Sequence, residues 1–224
     1  MNTRLRKLDE NGTYDAIILA EAGLHRMGWA DRISQVLPSD LCMYAVSQGA
    51  MAVECRGDDP DTLHLLSHIN DEQTTMACIA ERSFLKTLEG GCSVPVAVYT
   101  EIKDSQIKMD GGVFSIDGKQ CVLDSVTGNL GDLDEPPVKK MCTGKETKHY
   151  AAIVGHDISQ HALKVAMEAG NELANKILTP EGAAILAKAK ADTANAVMEE
   201  KRKKELIKSV ESQGQSSESI SQKS

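Results

Sequence analysis

The chain has 224 residues, 41% of them hydrophobic, and a formal net charge of −8, enough for one large domain or two small ones with a real core. Only 3% of the residues are aromatic, so the core is aliphatic and there is no aromatic platform for stacking bases; the acidic balance likewise argues against general nucleic-acid binding. Six cysteines without a CxxC pair fit neither a zinc ribbon nor a thioredoxin-type centre, and no signal peptide or membrane-spanning apolar run is visible, so the expectation is a reduced, soluble, cytoplasmic protein without a membrane partner.

Arg4 to Asp9 reads as a short helix ended by Asn11-Gly12, and Asp15 to Ala20 as an apolar strand suited to a parallel sheet. This buried-type strand follows the first charged residues almost at once, so the chain is expected to begin inside a domain. Gly23 to Trp29 turns into another helix, completing an α/β pattern. Tyr44 to Val46 and Ala50 to Cys55 read as strands around the polar break Ser47-Gln48-Gly49, and Gly57 to Asp61 as a turn in which Pro60 sets φ.

Asp61 to Ile69 is a short helix with apolar Leu63, Leu65, Leu66 and Ile69. A longer helix follows from Asp71, a suitable N-cap, through Glu89, with Met76, Ile79, Ala80, Phe84, Leu85 and Leu88 on one face and Gly90 at its end. Val94 to Ile102, Gln106 to Phe114 and Gln120 to Val126 form an antiparallel meander, joined by Lys103-Asp104-Ser105 and Asp117-Gly118. Asn129 to Tyr150 is expected to be a long polar loop. His161 to Leu178 and Glu181 to Leu206 are helical, the second running into Lys201 to Lys204, a basic run best read as a solvated helix end. From Ser209 the serine- and glutamine-rich composition cannot bury a core and predicts a disordered tail.

Within LEGGCSVPVAVYT, residues 88–100, Cys92 sits behind two glycines and before a proline and a valine-rich run. Two readings of it stand: a small half-buried hydrophobe beside a helix C-cap, or a reachable thiol with little bulk around the sulfur. No metal site is expected, because the six histidines show no ligand spacing with one another or with cysteine.

Four stretches carry a resemblance: NTRLRKLD (2–9), AGLHRMGW (22–29), AVSQGAMAVE (45–54) and LEGGCSVPVAV (88–98). In this order they resemble the C-terminal part of porphobilinogen deaminase, the hydroxymethylbilane synthase of tetrapyrrole (heme) biosynthesis, from Asn2 to about Leu186. The resemblance implies a three-domain α/β fold. In it residues 1–41 are the end of domain 2, 42–70 a segment returning to domain 1, 71–199 an α+β domain 3, and 200–224 a charged helix end and tail. Only domain 3, a three-stranded antiparallel sheet with helices, would be whole, the N-terminal domain being absent. The strands near Ile17 and Val53 would then lack sheet neighbours.

The resemblance also implies a chemistry. Cys92 would form a thioether to a dipyrromethane cofactor, on which four porphobilinogen units are condensed head to tail, each losing ammonia, before hydroxymethylbilane is released. Loss of ammonia leaves an electrophilic methylene that an accessible sulfur can capture. The pyrroles carry acetate and propionate groups, which forked guanidinium donors hold better than lysine does. By position in the matching motifs, Arg4 and Arg26 would contact these carboxylates, with Thr3 and Gln48 as lesser polar contacts, whereas Arg6 and Lys7 read as solvated charge. No catalytic residue is identified, because the family's aspartate lies in the part that does not match. Glu21 adds a carboxylate near Arg26 that would compete for it. The family is expected to act as a monomer on porphobilinogen. The alternative is a short non-catalytic isoform with an interaction or regulatory role.

Overall fold

The computed structural model describes residues 2–12, 14–88, 94–131, 149–155 and 158–221. The chain divides into two compact units, Met1–Cys42 and Met43–Ser224.

The first unit contains helix α1 (Asn2–Asn11), helix α2 (Glu21–Arg26) and a 3-10 turn over Ala30–Arg32. Its apolar content is small, with Leu5 and Leu24 as the buried hydrophobic residues. A salt bridge of 2.6 Å from Arg32 to Asp9 ties the 3-10 turn back to α1. Both partners are exposed, so the pair stabilises by at most about 1 kcal/mol. Asp15 to Ala20, expected as a strand, forms none, and Ile18 is 73% exposed. A strand is not a local structure: an apolar run becomes one only where a neighbouring edge accepts its N–H and C=O groups, and no described residue provides that edge.

The second unit is α+β, making the chain a mixed α/β protein. Helix α3 (Pro60–Ser67) starts with Pro60 in its first turn, and the Asp59 carboxylate accepts from the Thr62 N–H at 3.0 Å. Helix α4 (Glu72–Thr87) is capped by Asp71, which accepts from the Thr74 N–H at 2.7 Å. Strands β1 (Val96–Lys103), β2 (Gln106–Phe114) and β3 (Cys121–Asn129) form the expected antiparallel meander in the order β1-β2-β3. The β1–β2 turn places Asp104 and Ser105 at φ 49° and 57°, the left-handed pair that matches the twist of a two-residue hairpin. Two short strands, β4 (His149–Tyr150) and β5 (Ile153–Val154), make a second hairpin. Asn129 thus closes β3 and Tyr150 belongs to β4, while the centre of the expected loop, 132–148, lies outside the described residues. Helices α5 (Gln160–Ile177) and α6 (Pro180–Ser221) complete the unit.

The core lies between one face of the sheet and helices α4 and α5. β2 alternates as a half-buried strand should, with Ile107, Met109, Gly111 and Val113 turned inward. Facing them are Met76, Ile79, Ala80, Phe84 and Leu88 of the α4 segment, and Leu163, Ala166, Leu173 and Ile177 of α5. Two glycines set the spacing. A Cβ on Gly111 would sit 2.9 Å from Leu173 Cδ2 and 3.1 Å from Phe84 Cζ, and one on Gly170 would strike the Ala80 carbonyl oxygen and the Phe84 amide nitrogen. Helices α4 and α5 therefore approach backbone to backbone at Gly170.

Several expected elements differ. Tyr44 makes an isolated bridge to Val98 in place of a strand over 44–46, and 50–55 runs without strand partners, leaving Met51 88% exposed. The physical reason is the one that applies to 15–20: no described edge is available to pair with it. Beyond Ser209, where disorder is expected, α6 continues to Ser221. A helix closes its own hydrogen bonds, so a composition too polar to bury a core does not by itself forbid one.

Candidate functional site

The sequence-predicted residues fall in both units. In the first, Thr3 and Arg4 occupy the first turn of α1 and Arg26 ends α2; all three are exposed. This unit holds four arginines, and their partners separate them. Arg6 meets Glu10 at 3.7 Å, one helical turn on, and Arg32 meets Asp9. Arg4 and Arg26 have no carboxylate partner among the described residues. Glu21, expected to compete for Arg26, instead meets His25 Nε2 at 3.2 Å. The cause is helical spacing: Glu21 and His25 are four residues apart and share a face, whereas Arg26 is five away. Among the described residues, these two guanidinium groups are the ones in the unit without a carboxylate partner.

In the second unit, Gln48 lies in the turn between Tyr44 and Ala50, with Ser47 at φ 59° and Gly49 at φ 93°. Its Oε1 accepts from the Ala45 N–H at 3.3 Å, so the side-chain carbonyl closes its own turn and the amide NH2 is the end left to meet a ligand. Cys92 lies outside the described residues. On either side of it, Leu88 is buried at the C-cap of α4 and Val94 packs on the core just before β1. Among the described residues, Cys55, Cys78 and Cys121 are free thiols. Burial pushes the Cys78 thiol above its usual range, which makes it a poor nucleophile.

The 44–49 turn is held by a residue that sequence reasoning missed. Glu81, in the middle of α4, is buried. Its Oε1 accepts from the Tyr44 hydroxyl at 2.9 Å and its Oε2 from the Ser47 N–H at 2.6 Å. The Tyr44 oxygen in turn accepts from the Thr100 N–H of β1 at 2.9 Å. One carboxylate and one phenol thereby join the turn, the helix and the sheet edge. Burial, with the Glu81 charge beside it, raises the Tyr44 pKa to about 12. The available signal was an acidic residue one position from the apolar stripe of α4, but its partners are 34 and 37 residues away in sequence.

A groove between the β2–β3 turn and α6, lined by residues such as Ser115, Asp117, Glu181 and Lys188, contains none of the predicted residues. No group of three or more metal-ligating side chains occurs among the described residues. His64 of α3 and His68 at its C-cap are one helical turn apart, with ring centroids 5.0 Å apart. No helix among the described residues is long and apolar enough to cross a membrane.

Among the described residues, Arg4 and Arg26 are the arginines of the first unit without a carboxylate partner. Residues 1–64 match the family model described as porphobilinogen deaminase, dipyromethane cofactor binding domain, and residues 75–179 match that of the porphobilinogen deaminase C-terminal domain. Together the two matches take in more than half of the chain. Among relatives named porphobilinogen deaminase, the protein of a Nostoc species is 48% identical over 134 residues, covering 60% of this chain and 41% of that protein. That of Geobacillus kaustophilus is 54% identical over 129 residues, 57% of this chain and 41% of the relative. A Prochlorococcus marinus protein is 41% identical over 155 residues, 69% of this chain and 46% of the relative. The chain thus spans less than half the length of the curated relatives it matches.

Proposed function

Because the chain belongs to the porphobilinogen deaminase family, we propose that it serves hydroxymethylbilane synthesis, the stepwise condensation of four porphobilinogen units with loss of ammonia, in the cytoplasm and as a monomer. The observation that carries this reading is the contrast among the arginines. Arg4 and Arg26, which lie in the matching motifs, are without carboxylate partners among the described residues, while Arg6 and Arg32 are paired.

In this reading Cys92 holds a dipyrromethane cofactor through a thioether, and Arg4 and Arg26 hold acetate and propionate groups by forked, charge-assisted hydrogen bonds. When bound, the cofactor supplies the pyrrole terminus onto which the substrate units are condensed. Thr3 and the Gln48 amide add neutral hydrogen bonds. The Glu81–Tyr44 clamp positions the turn that carries Gln48 and acts through it. We read the chain as 1–41, 42–70, 71–199 and 200–224, as the family's organisation implies; the compact division at Cys42 and the two matched regions support this reading.

A second reading, a non-catalytic interaction role, is favoured by one observation: the extended segments around Ile18 and Val53 expose large apolar side chains, 73% and 63% respectively. Large apolar side chains exposed in this way are open to contact with another polypeptide.

The deciding experiment is the intact mass of the protein isolated from its own source, followed by peptide mapping. The expected result is a dipyrromethane adduct on the peptide containing Cys92, absent in Cys92→Ser. An unmodified chain, or an adduct that persists in Cys92→Ser, overturns the assignment. Porphobilinogen turnover by the same preparation would rule out the interaction-only reading.

A further inference from the structure

The end of α3 carries His64 and, at its C-cap, His68, both exposed to solvent. Residues four apart lie on one helix face, and here the two imidazoles meet edge to face, centroids 5.0 Å apart and planes at 82°. His68 Nδ1 lies 2.9 Å from the His64 carbonyl oxygen. A carbonyl only accepts, so the Nδ1 position carries the proton and the neutral ring keeps its lone pair on Nε2. A hydrogen bond of this kind, from the second nitrogen to a backbone carbonyl, fixes the ring and tautomer of a metal-ligating histidine.

The ring separation is a further test. With metal–nitrogen bonds of about 2.0–2.1 Å, roughly another 1.1 Å to each ring centre, and two cis ligands subtending about 90–109°, the centroids of bound imidazoles fall about 4.5–5.2 Å apart. The observed 5.0 Å lies inside that window, and with the planes at 82° a ring must turn out of the edge-to-face contact to bring both Nε2 atoms to one ion. The carbonyl end of α3, where the pair sits, carries the partial negative charge of the helix and favours a cation.

We propose that His64 and His68 form a two-imidazole chelate for a late first-row divalent ion, with water completing the coordination shell. It is independent of the proposed tetrapyrrole chemistry and uses none of its residues. With two protein ligands the site is open, and among divalent ions it binds Cu2+ more tightly than Ni2+ or Zn2+.

The test is titration of the full chain with Cu2+ in a non-coordinating buffer, followed by calorimetry and by electron paramagnetic resonance of the bound ion. The expected result is one Cu2+ per chain with two equatorial nitrogens. His64→Ala and His68→Ala should each weaken binding about tenfold or more and remove one nitrogen from the spectrum, whereas His25→Ala leaves both readouts unchanged. Both histidines are exposed, so the variants keep the fold, which circular dichroism verifies. Unchanged affinity and spectrum in both variants, or loss of the site in His25→Ala alone, overturns the proposal.

Discussion

The Tyr44 hydroxyl donates to Glu81 Oε1 at 2.9 Å while accepting from the Thr100 N–H at the same distance. This phenol is the joint between the 44–49 turn, helix α4 and strand β1. Tyr44→Phe removes a donor from a buried carboxylate and an acceptor from a backbone amide. It is expected to destabilise the chain by about 1–3 kcal/mol, read from the urea midpoint. An unchanged midpoint would mean that the clamp contributes nothing.

The same phenol sets a pH dependence. Its pKa is raised to about 12 from 10.0 in the folded chain, so the folded state holds the proton more tightly than the unfolded state. The resulting stabilisation is fully present below pH 10 and is lost as pH rises from about 10 through about 12. The difference between the parent and Tyr44→Phe phenolate titrations should therefore appear near pH 12. Appearance of that absorbance near pH 10 would contradict the buried hydrogen-bonded geometry.

At Gly170 the crossing of α4 and α5 leaves no room for a methyl group, because the atoms it would meet are backbone. Gly170→Ala must force the helices apart and is expected to cost about 1–3 kcal/mol, although alanine is the better helix former. Gly57→Ala is the control, since a Cβ there meets nothing within 4 Å. Equal unfolding midpoints for the two variants would count against the close crossing.

Ser83 is buried on α4, and its Oγ has no hydrogen-bond partner among the described residues. Ser83→Ala removes an unsatisfied polar atom and is expected to stabilise the chain by about 1 kcal/mol. A lower urea midpoint in this variant would reveal a partner for the hydroxyl.

For the proposed chemistry, Arg26→Ala removes a forked donor. In protein isolated from its own source, it is expected to lower kcat/KM for porphobilinogen by about 10- to 100-fold while leaving the unfolding midpoint within error. Arg6→Ala, which releases an exposed pair with Glu10, should change turnover less than about twofold. Equal effects of the two substitutions would remove Arg26 from the ligand set.

The elements legible in the sequence are those whose cause is local. Asp71 caps α4 through the next turn of the same chain, and the apolar stripe from Met76 to Leu88 repeats with the helical period. The β1–β2 hairpin is written in Asp104 and Ser105, which tolerate left-handed backbone. Nearness in sequence is not nearness on a helix: the one-turn partner His25, rather than Arg26, takes the Glu21 carboxylate.

By itself, the sequence determined the meander, the capped helix α4, the amphipathic helix α5 and, through the order of its motifs, the family. These depend on residue period, capping chemistry and turn residues, all expressed within a few positions of the chain. Tertiary structure alone decided that Ala16–Ala20 and Ala50–Cys55 form no strands among the described residues, that Glu81 is buried beneath Tyr44 and Ser47, and that Arg6 and Arg32 rather than Arg4 and Arg26 meet carboxylates among the described residues. Strand pairing, burial of a charge and competition for a carboxylate each depend on which distant groups meet, and residue spacing carries no record of that.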